Sequence, residues 1–131
     1  MERLTIAPTG RTPAIDFDFD GGVLRLSGES YPDDVATFFG PVFTALRGFL
    51  AEPGGAIRFD IELVYFNSSS AKALMNIFQM LEAAARDGRA VTVNWRFEAG
   101  DDAMREFGED FSEDLEDVTF NLVEGGADGA P

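Results

Sequence analysis

The sequence predicts a single α/β domain, a mixed β-sheet with helices mainly on one face. Two observations carry this. Ile57, Phe59, Ile61, Leu63 and Tyr65 alternate with Arg58, Asp60 and Glu62, and Val91, Val93, Trp95 and Phe97 alternate with Thr92, Asn94 and Arg96. A strand that is apolar on one side needs cover on that side only. Between the two strands lies a stretch of helical periodicity, and strand, helix and strand with short connections form a right-handed parallel crossover. Residues 1–123 are assigned to the domain, and 124–131, built of Gly, Ala and acids, to a disordered acidic tail.

The elements follow in order. Leu4 and Ile6 suggest a short edge strand. Ile15, Phe17 and Phe19 alternate with Asp16, Asp18 and Asp20, and Gly21-Gly22 then leads into Val23-Leu24-Arg25-Leu26, the pattern of a tight antiparallel hairpin. Ser30-Tyr31-Pro32-Asp33 resembles a helix start, with Ser30 as cap, Pro32 in the first turn and acids nearby. Val35, Phe38, Val42, Leu46 and Phe49 make the apolar stripe of a helix ending near Ala51, with a kink or reset expected at Pro41. After the strand at Ile57, the stripe Leu74, Phe78, Leu81 and Ala85 marks a second helix closed by Asp87-Gly88. Met104, Phe107, Phe111 and Leu115 suggest a third helix, acidic on its outer face, and Val118 to Val123 a final edge strand.

Composition narrows the chemistry. The chain has 131 residues, 45% of them hydrophobic, including thirteen phenylalanines, enough for one compact core. It has no cysteine and no histidine, so a Ser-His-Asp or Cys-His constellation, a disulfide framework and a cysteine zinc site are all excluded, and the expectation is a protein that is not an enzyme and needs no cofactor or metal. A formal charge of −14 argues against nucleic acid and against anionic membranes, and favours a partner with a basic face. Met1-Glu2-Arg3-Leu4 lacks the start of a signal peptide and no apolar run reaches membrane-spanning length, so a soluble, cytoplasmic protein is expected.

Three acidic or polar features have plain explanations. Asp16-Phe17-Asp18-Phe19-Asp20-Gly21 opens like a calcium loop, but Ser27 stands where the bidentate Glu belongs. The ten acids from Glu98 to Asp117 read as a solvated helix face or a docking surface for a basic partner. The polar sheet face (Arg58, Asp60, Glu62, Thr92, Asn94, Arg96) is either solvated or meets a partner.

The most informative segment is Tyr65-Phe66-Asn67-Ser68-Ser69-Ser70, where a strand ends and an amphipathic helix begins. One helix cap needs one Asn or Ser, and four stand in a row. The extra hydroxyls are either spare groups in the first turn or a phosphoacceptor and docking site, since free N–H groups and the helix dipole favour a phosphate there.

This junction, with Thr12-Pro13-Ala14-Ile15, Gly28-Glu29-Ser30-Tyr31-Pro32 and Phe39-Gly40-Pro41-Val42, resembles the SiaC family of bacterial regulatory phosphoproteins, relatives of the STAS-like anti-sigma factor antagonists. The likeness covers about Thr12 to Phe120. It implies a STAS-like fold and a switch protein. In that family a dedicated Ser/Thr kinase modifies the hydroxyl after the Asn, a PP2C-type phosphatase reverses it, and the unmodified form binds and activates a diguanylate cyclase (a GGDEF protein) in c-di-GMP and biofilm signalling. The acceptor position falls on Ser68, where the family pattern carries Thr, with Ser69 and Ser70 as fallbacks. Partner binding is expected of Asn67, Ser68, Ser69, Ser70 and Lys72. The alternative is a STAS-type antagonist that binds an anti-sigma kinase.

Overall fold

The computed structural model describes residues 1–125 of the 131. Within them the elements run β1 (Leu4–Ile6), β2 (Ala14–Asp18), β3 (Val23–Ser30), α1 (Val35–Ala51), β4 (Ile57–Phe66), α2 (Ser68–Arg86), β5 (Val91–Glu98), α3 (Asp102–Ser112) and β6 (Thr119–Gly125). All six strands form one sheet, ordered as they are in the chain. β1, β2 and β3 pair antiparallel, and β3 to β6 pair parallel through three successive helical crossovers. Crossovers of one hand that all step the same way across a sheet leave their helices on the same face. The mixed, one-sided sheet expected from the alternation is the fold observed.

Burial confirms the layering. Phe17, Leu24, Leu26, Phe59, Ile61, Val93 and Trp95 of the sheet are essentially inaccessible, and so are Phe39, Val42 and Leu46 of α1 and Leu74, Ile77, Phe78 and Leu81 of α2. Phe78 stands at the centre of an aromatic cluster with Phe59, Trp95, Phe111 and Phe120. Burying each such side chain contributes roughly 1.5–3 kcal/mol. α3 approaches the sheet at Gly108, where a Cβ would lie 2.6 Å from Trp95 and from Leu122. The Trp95 indole N–H donates to the Met104 carbonyl at 2.9 Å, which fixes that approach.

Four local expectations are corrected. Ser30 does not cap α1: it is the last residue of β3, and the cap is Asp34, whose carboxylate accepts from the Thr37 N–H at 3.1 Å. Pro32 therefore precedes the helix. Pro41 does not break α1, which is continuous from Val35 to Ala51. Pro41 faces solvent, so the carbonyl left without its donor can be hydrated. Leu115 lies beyond the end of α3 and packs on the core from the following loop. β6 begins at Thr119 and runs through Gly125, pairing Glu124 with Phe97 and Gly125 with Glu98, two residues past the expected boundary. The remainder of the expected tail, 126–131, lies outside the described residues.

The hairpin turn uses Gly22 at φ 71°, a left-handed conformation that favours glycine, while Asp18 accepts from the Gly21 N–H at 3.1 Å. Asp16 pairs with Arg3 at 2.7 Å and Asp20 with the N-terminal ammonium at 3.0 Å, so each acid of the calcium-like run has a partner of its own.

Candidate functional site

The parallel half of the sheet sends α1, α2 and α3 off from the same edge, so three helix starts lie at one end of the molecule. Each is capped by a side chain. Asp34 and Asp101 cap α1 and α3 with carboxylates, the latter accepting from the Met104 N–H at 3.1 Å. The hydroxyl and backbone N–H of Thr37 hold the Asp34 carboxyl below its ordinary value. α2 differs. Its cap is the neutral Asn67, whose Oδ1 accepts from the Ser70 N–H at 2.9 Å. A charged cap offsets the positive end of the helix dipole and a neutral amide does not, so the start of α2 keeps more of its pull on an anion.

The serines are not equivalent. Ser70 is fully buried, and its hydroxyl lies 2.8 Å from that of Ser30, which is buried as well. The Ser30 carbonyl also accepts from the Asn67 N–H at 3.2 Å. Ser30, Asn67 and Ser70 thus form one closed set that pins the end of β3 to the first turn of α2. Ser68 and Ser69 are exposed, and among the described residues no protein acceptor takes the N–H of either. In sequence the three serines form one run, with Ser68 the expected acceptor and Ser69 and Ser70 the fallbacks. Ser30 reads as a cap in sequence, which misses its part here, although a Ser closing an apolar strand is a weak signal for a buried hydroxyl pair.

Apolar groups surround the exposed hydroxyls. Val64 and Tyr65 precede them, large hydrophobic side chains at 69% and 52% exposure, and Tyr31 packs edge-on to Tyr65 with ring centroids 5.4 Å apart. On the other side a groove of about 340 Å3 runs between α1 and α2, floored by Val35, Phe39, Phe43 and Ala73 and edged by Ser69 and Lys72. Lys72 is exposed and in no ion pair among the described residues.

Several of the other polar candidates are tied to the fold. On the open sheet face, Asp60 accepts from Arg58 at 3.1 Å and from Asn94 at 2.8 Å, and Asn94 accepts in turn from Asn121 at 3.0 Å. Of the acids from Glu98 to Asp117, Asp101 caps α3, Asp102 and Glu109 flank Arg105, and Asp117 lies 3.7 Å from Arg86. The acid that the sequence did not single out is Glu82, 1% exposed on the inner face of α2. Its carboxylate accepts from the backbone N–H groups of Glu116, Asp117 and Val118 at 3.0–3.1 Å. Burial pushes that carboxyl up, but the three N–H groups and Arg86 at 3.3 Å outweigh it and hold the group below its ordinary value. Glu82 lies four residues after Phe78 on the apolar stripe, and an acid in that position is the signal that would have found it.

Fold and junction define a class before any comparison: a small, one-sided α/β module that displays a hydroxyl-bearing helix start. The chain belongs to the SiaC family. Residues 6–125 match the model described as SiaC family regulatory phosphoprotein. An uncharacterized protein of Pseudomonas aeruginosa (strain UCBPP-PA14) is 38% identical over 114 residues, 87% of this chain and 90% of that one. The solved structure of SiaC of Pseudomonas aeruginosa superposes with a TM-score of 0.88 at 35% identity, covering 95% of this chain and 100% of that chain. A second structure, the diguanylate cyclase SiaD in complex with its activator SiaC from the same organism, matches with a TM-score of 0.89 at 35% identity over 93% of this chain and 99% of that chain.

Proposed function

We propose that this chain is a non-enzymatic cytoplasmic regulator that, when unmodified, binds and activates a diguanylate cyclase, and that reversible phosphorylation of Ser68 turns this off. The observation that carries the proposal is the division of the serines: the position after Asn67 is exposed at the open, neutrally capped helix start, whereas Ser70 is closed into the fold. Membership of a phosphoprotein family and the likeness to a cyclase activator support it. A Ser/Thr kinase and a PP2C-type phosphatase are the enzymes such a cycle requires.

The physics gives the switch its selectivity. A phosphate on Ser68 adds about −1.5 to −2 charge and three acceptor oxygens beside two free N–H groups. Within the domain that is favourable by roughly 0.3–1 kcal/mol, so the fold survives. Against the apolar surface a partner would place over Val64 and Tyr65, a dianion is costly to desolvate. Modification therefore weakens binding while leaving folding nearly unchanged.

Mass-spectrometric phosphosite mapping on protein from its native cells, with pull-down of modified and unmodified forms, is the test. The expected outcome is phosphate on Ser68 and cyclase captured by the unmodified form alone. Phosphate confined to other residues moves the switch off Ser68, and equal capture by both forms removes the switch.

A further inference from the structure

The two edges of the sheet differ in how open they are to a further strand. An edge strand carries a row of backbone N–H and C=O groups that its own sheet leaves unpaired, and such a row is a template for another chain. At one edge β1 is three residues long, with Arg3 before it and Pro8 after it, features that make an edge hard to extend. At the other, β6 runs for seven residues from Thr119 to Gly125 and contains no Lys, Arg or Pro. That is ~23 Å of strand. β6 pairs with β5 alone, and among the described residues its backbone makes no hydrogen bond outside that ladder. The register sets what lies along the edge. Phe120, Leu122 and Glu124 stand opposite Val93, Trp95 and Phe97, which are buried in the core, so all three are on the helix-covered side of the sheet. Leu122 is nonetheless 38% exposed. Glu124 is exposed as well and in no ion pair among the described residues, and the same holds for Glu113, Asp114 and Glu116 in the connection that leads into β6.

We infer that β6 accepts an extended, basic segment of a partner protein as a further strand of the sheet. Strand addition takes its affinity from main-chain hydrogen bonds and its specificity from alternate side chains. Side chains directly opposed across two strands interact, so the added strand carries an apolar residue against Leu122 and a Lys or Arg two places along, against Glu124. A second cation, at the other end of the segment, meets Glu113, Asp114 and Glu116. The same acids work against a second copy of this chain as the occupant, because two edges of like charge on molecules of net charge −14 repel. They favour a basic strand by the same field. Part of the acidic run from Glu98 to Asp117 thereby gains a use beyond solvation. None of these residues belongs to the junction at Asn67 to Ser70, so the edge and the helix start are separate surfaces.

The probe is a synthetic peptide of seven residues with lysine at both ends, valine at the third and fifth places and threonine at the rest, titrated into the full nitrogen-15-labelled chain. Amide shifts and slowed hydrogen exchange are expected along β6 and not at β1. Alternate amides of an added strand face the edge, so N-methylating one alternate set should abolish binding, whereas N-methylating the other should leave it within about twofold. Replacing both lysines by glutamate should weaken binding about tenfold. Glu124→Lys, a change at an exposed position that should leave the melting temperature as it was, should narrow that preference severalfold. Shifts elsewhere, or none at about millimolar peptide, overturn the inference. So do equal binding by the two methylated peptides, a glutamate-ended peptide that binds as well, an unaffected Glu124→Lys, and self-association of the chain through β6.

Discussion

α2 carries a polar cluster at each end, and the two have opposite fates. Near its last turns, Glu82 is buried among apolar neighbours, with its carboxylate accepting from three consecutive backbone N–H groups of the loop before β6. At its start, Ser68 and Ser69 are exposed and their N–H groups have no protein acceptor among the described residues, while Asn67 and Ser70 behind them are satisfied. A buried polar group persists only when its hydrogen bonds are met, so the first cluster is architecture: it fastens the α3–β6 connection to the middle of the fold. The second holds bonding capacity in reserve where a partner or a modifying enzyme can reach it. One helix thus joins a fixed clamp to an open start, and the difference lies in burial and satisfaction: the charged group is the one enclosed, and two of the neutral hydroxyls are the ones exposed.

Substitutions at the two ends should separate sharply. The largest effect is expected at the clamp. Glu82→Ala strands three buried N–H groups and should cost about 3 kcal/mol. A melting temperature lowered by roughly 10 °C follows at this chain length, read by calorimetry or circular dichroism, and a change within experimental error would mean the loop is held by other contacts.

Acid should weaken the same clamp. The Glu82 carboxyl is held below its ordinary 4.5, so the stability it contributes is complete above that value and is lost as the pH falls through the lowered one. Denaturant midpoints should decline from about pH 4.5 downward. Glu82→Gln, destabilised at pH 7, should converge on the unsubstituted protein in that range, and parallel pH curves would assign the acid limb to other carboxylates.

The hydroxyl pair behind the open site should give an intermediate response. Ser70→Ala leaves the buried Ser30 hydroxyl unpaired and should cost about 1–2 kcal/mol. Ser30→Ala combined with Ser70→Ala should cost less than the sum of the two, because the second change removes a group already unpaired. Additive losses in denaturant unfolding would show that the two hydroxyls do not act as a pair.

The smallest effect on stability belongs to the open site itself. Ser68→Ala should stay within about 0.5 kcal/mol of the unsubstituted protein, yet hold the partner whether or not the kinase is present. Ser68→Asp should fold equally well and bind more weakly. A loss of stability as large as that of Ser70→Ala would place Ser68 in the fold and erase the contrast.

Much of this was legible in the residues, because period-2 and period-3.6 patterns report which face of a single element meets the core. Ile57–Tyr65, Val91–Phe97 and the Leu74/Phe78/Leu81 stripe therefore placed β4, β5 and α2, and the surplus of hydroxyls after Phe66 marked the junction. The failures share one cause: they depend on contacts between residues distant in sequence. Ser30 looks like a cap until β3 is seen to run beside β4 and bring its last hydroxyl against Ser70, forty residues on. Glu82 looks like an ordinary helix acid until the loop at 116–118 folds over it. Local patterning determined the elements, the one-sided sheet and the strand–helix junction at Phe66–Ser68. Only the tertiary structure decided strand order, which serine is closed and which are open, and which of the 24 acids is part of the core, because burial and hydrogen-bond satisfaction exist only once separate segments meet.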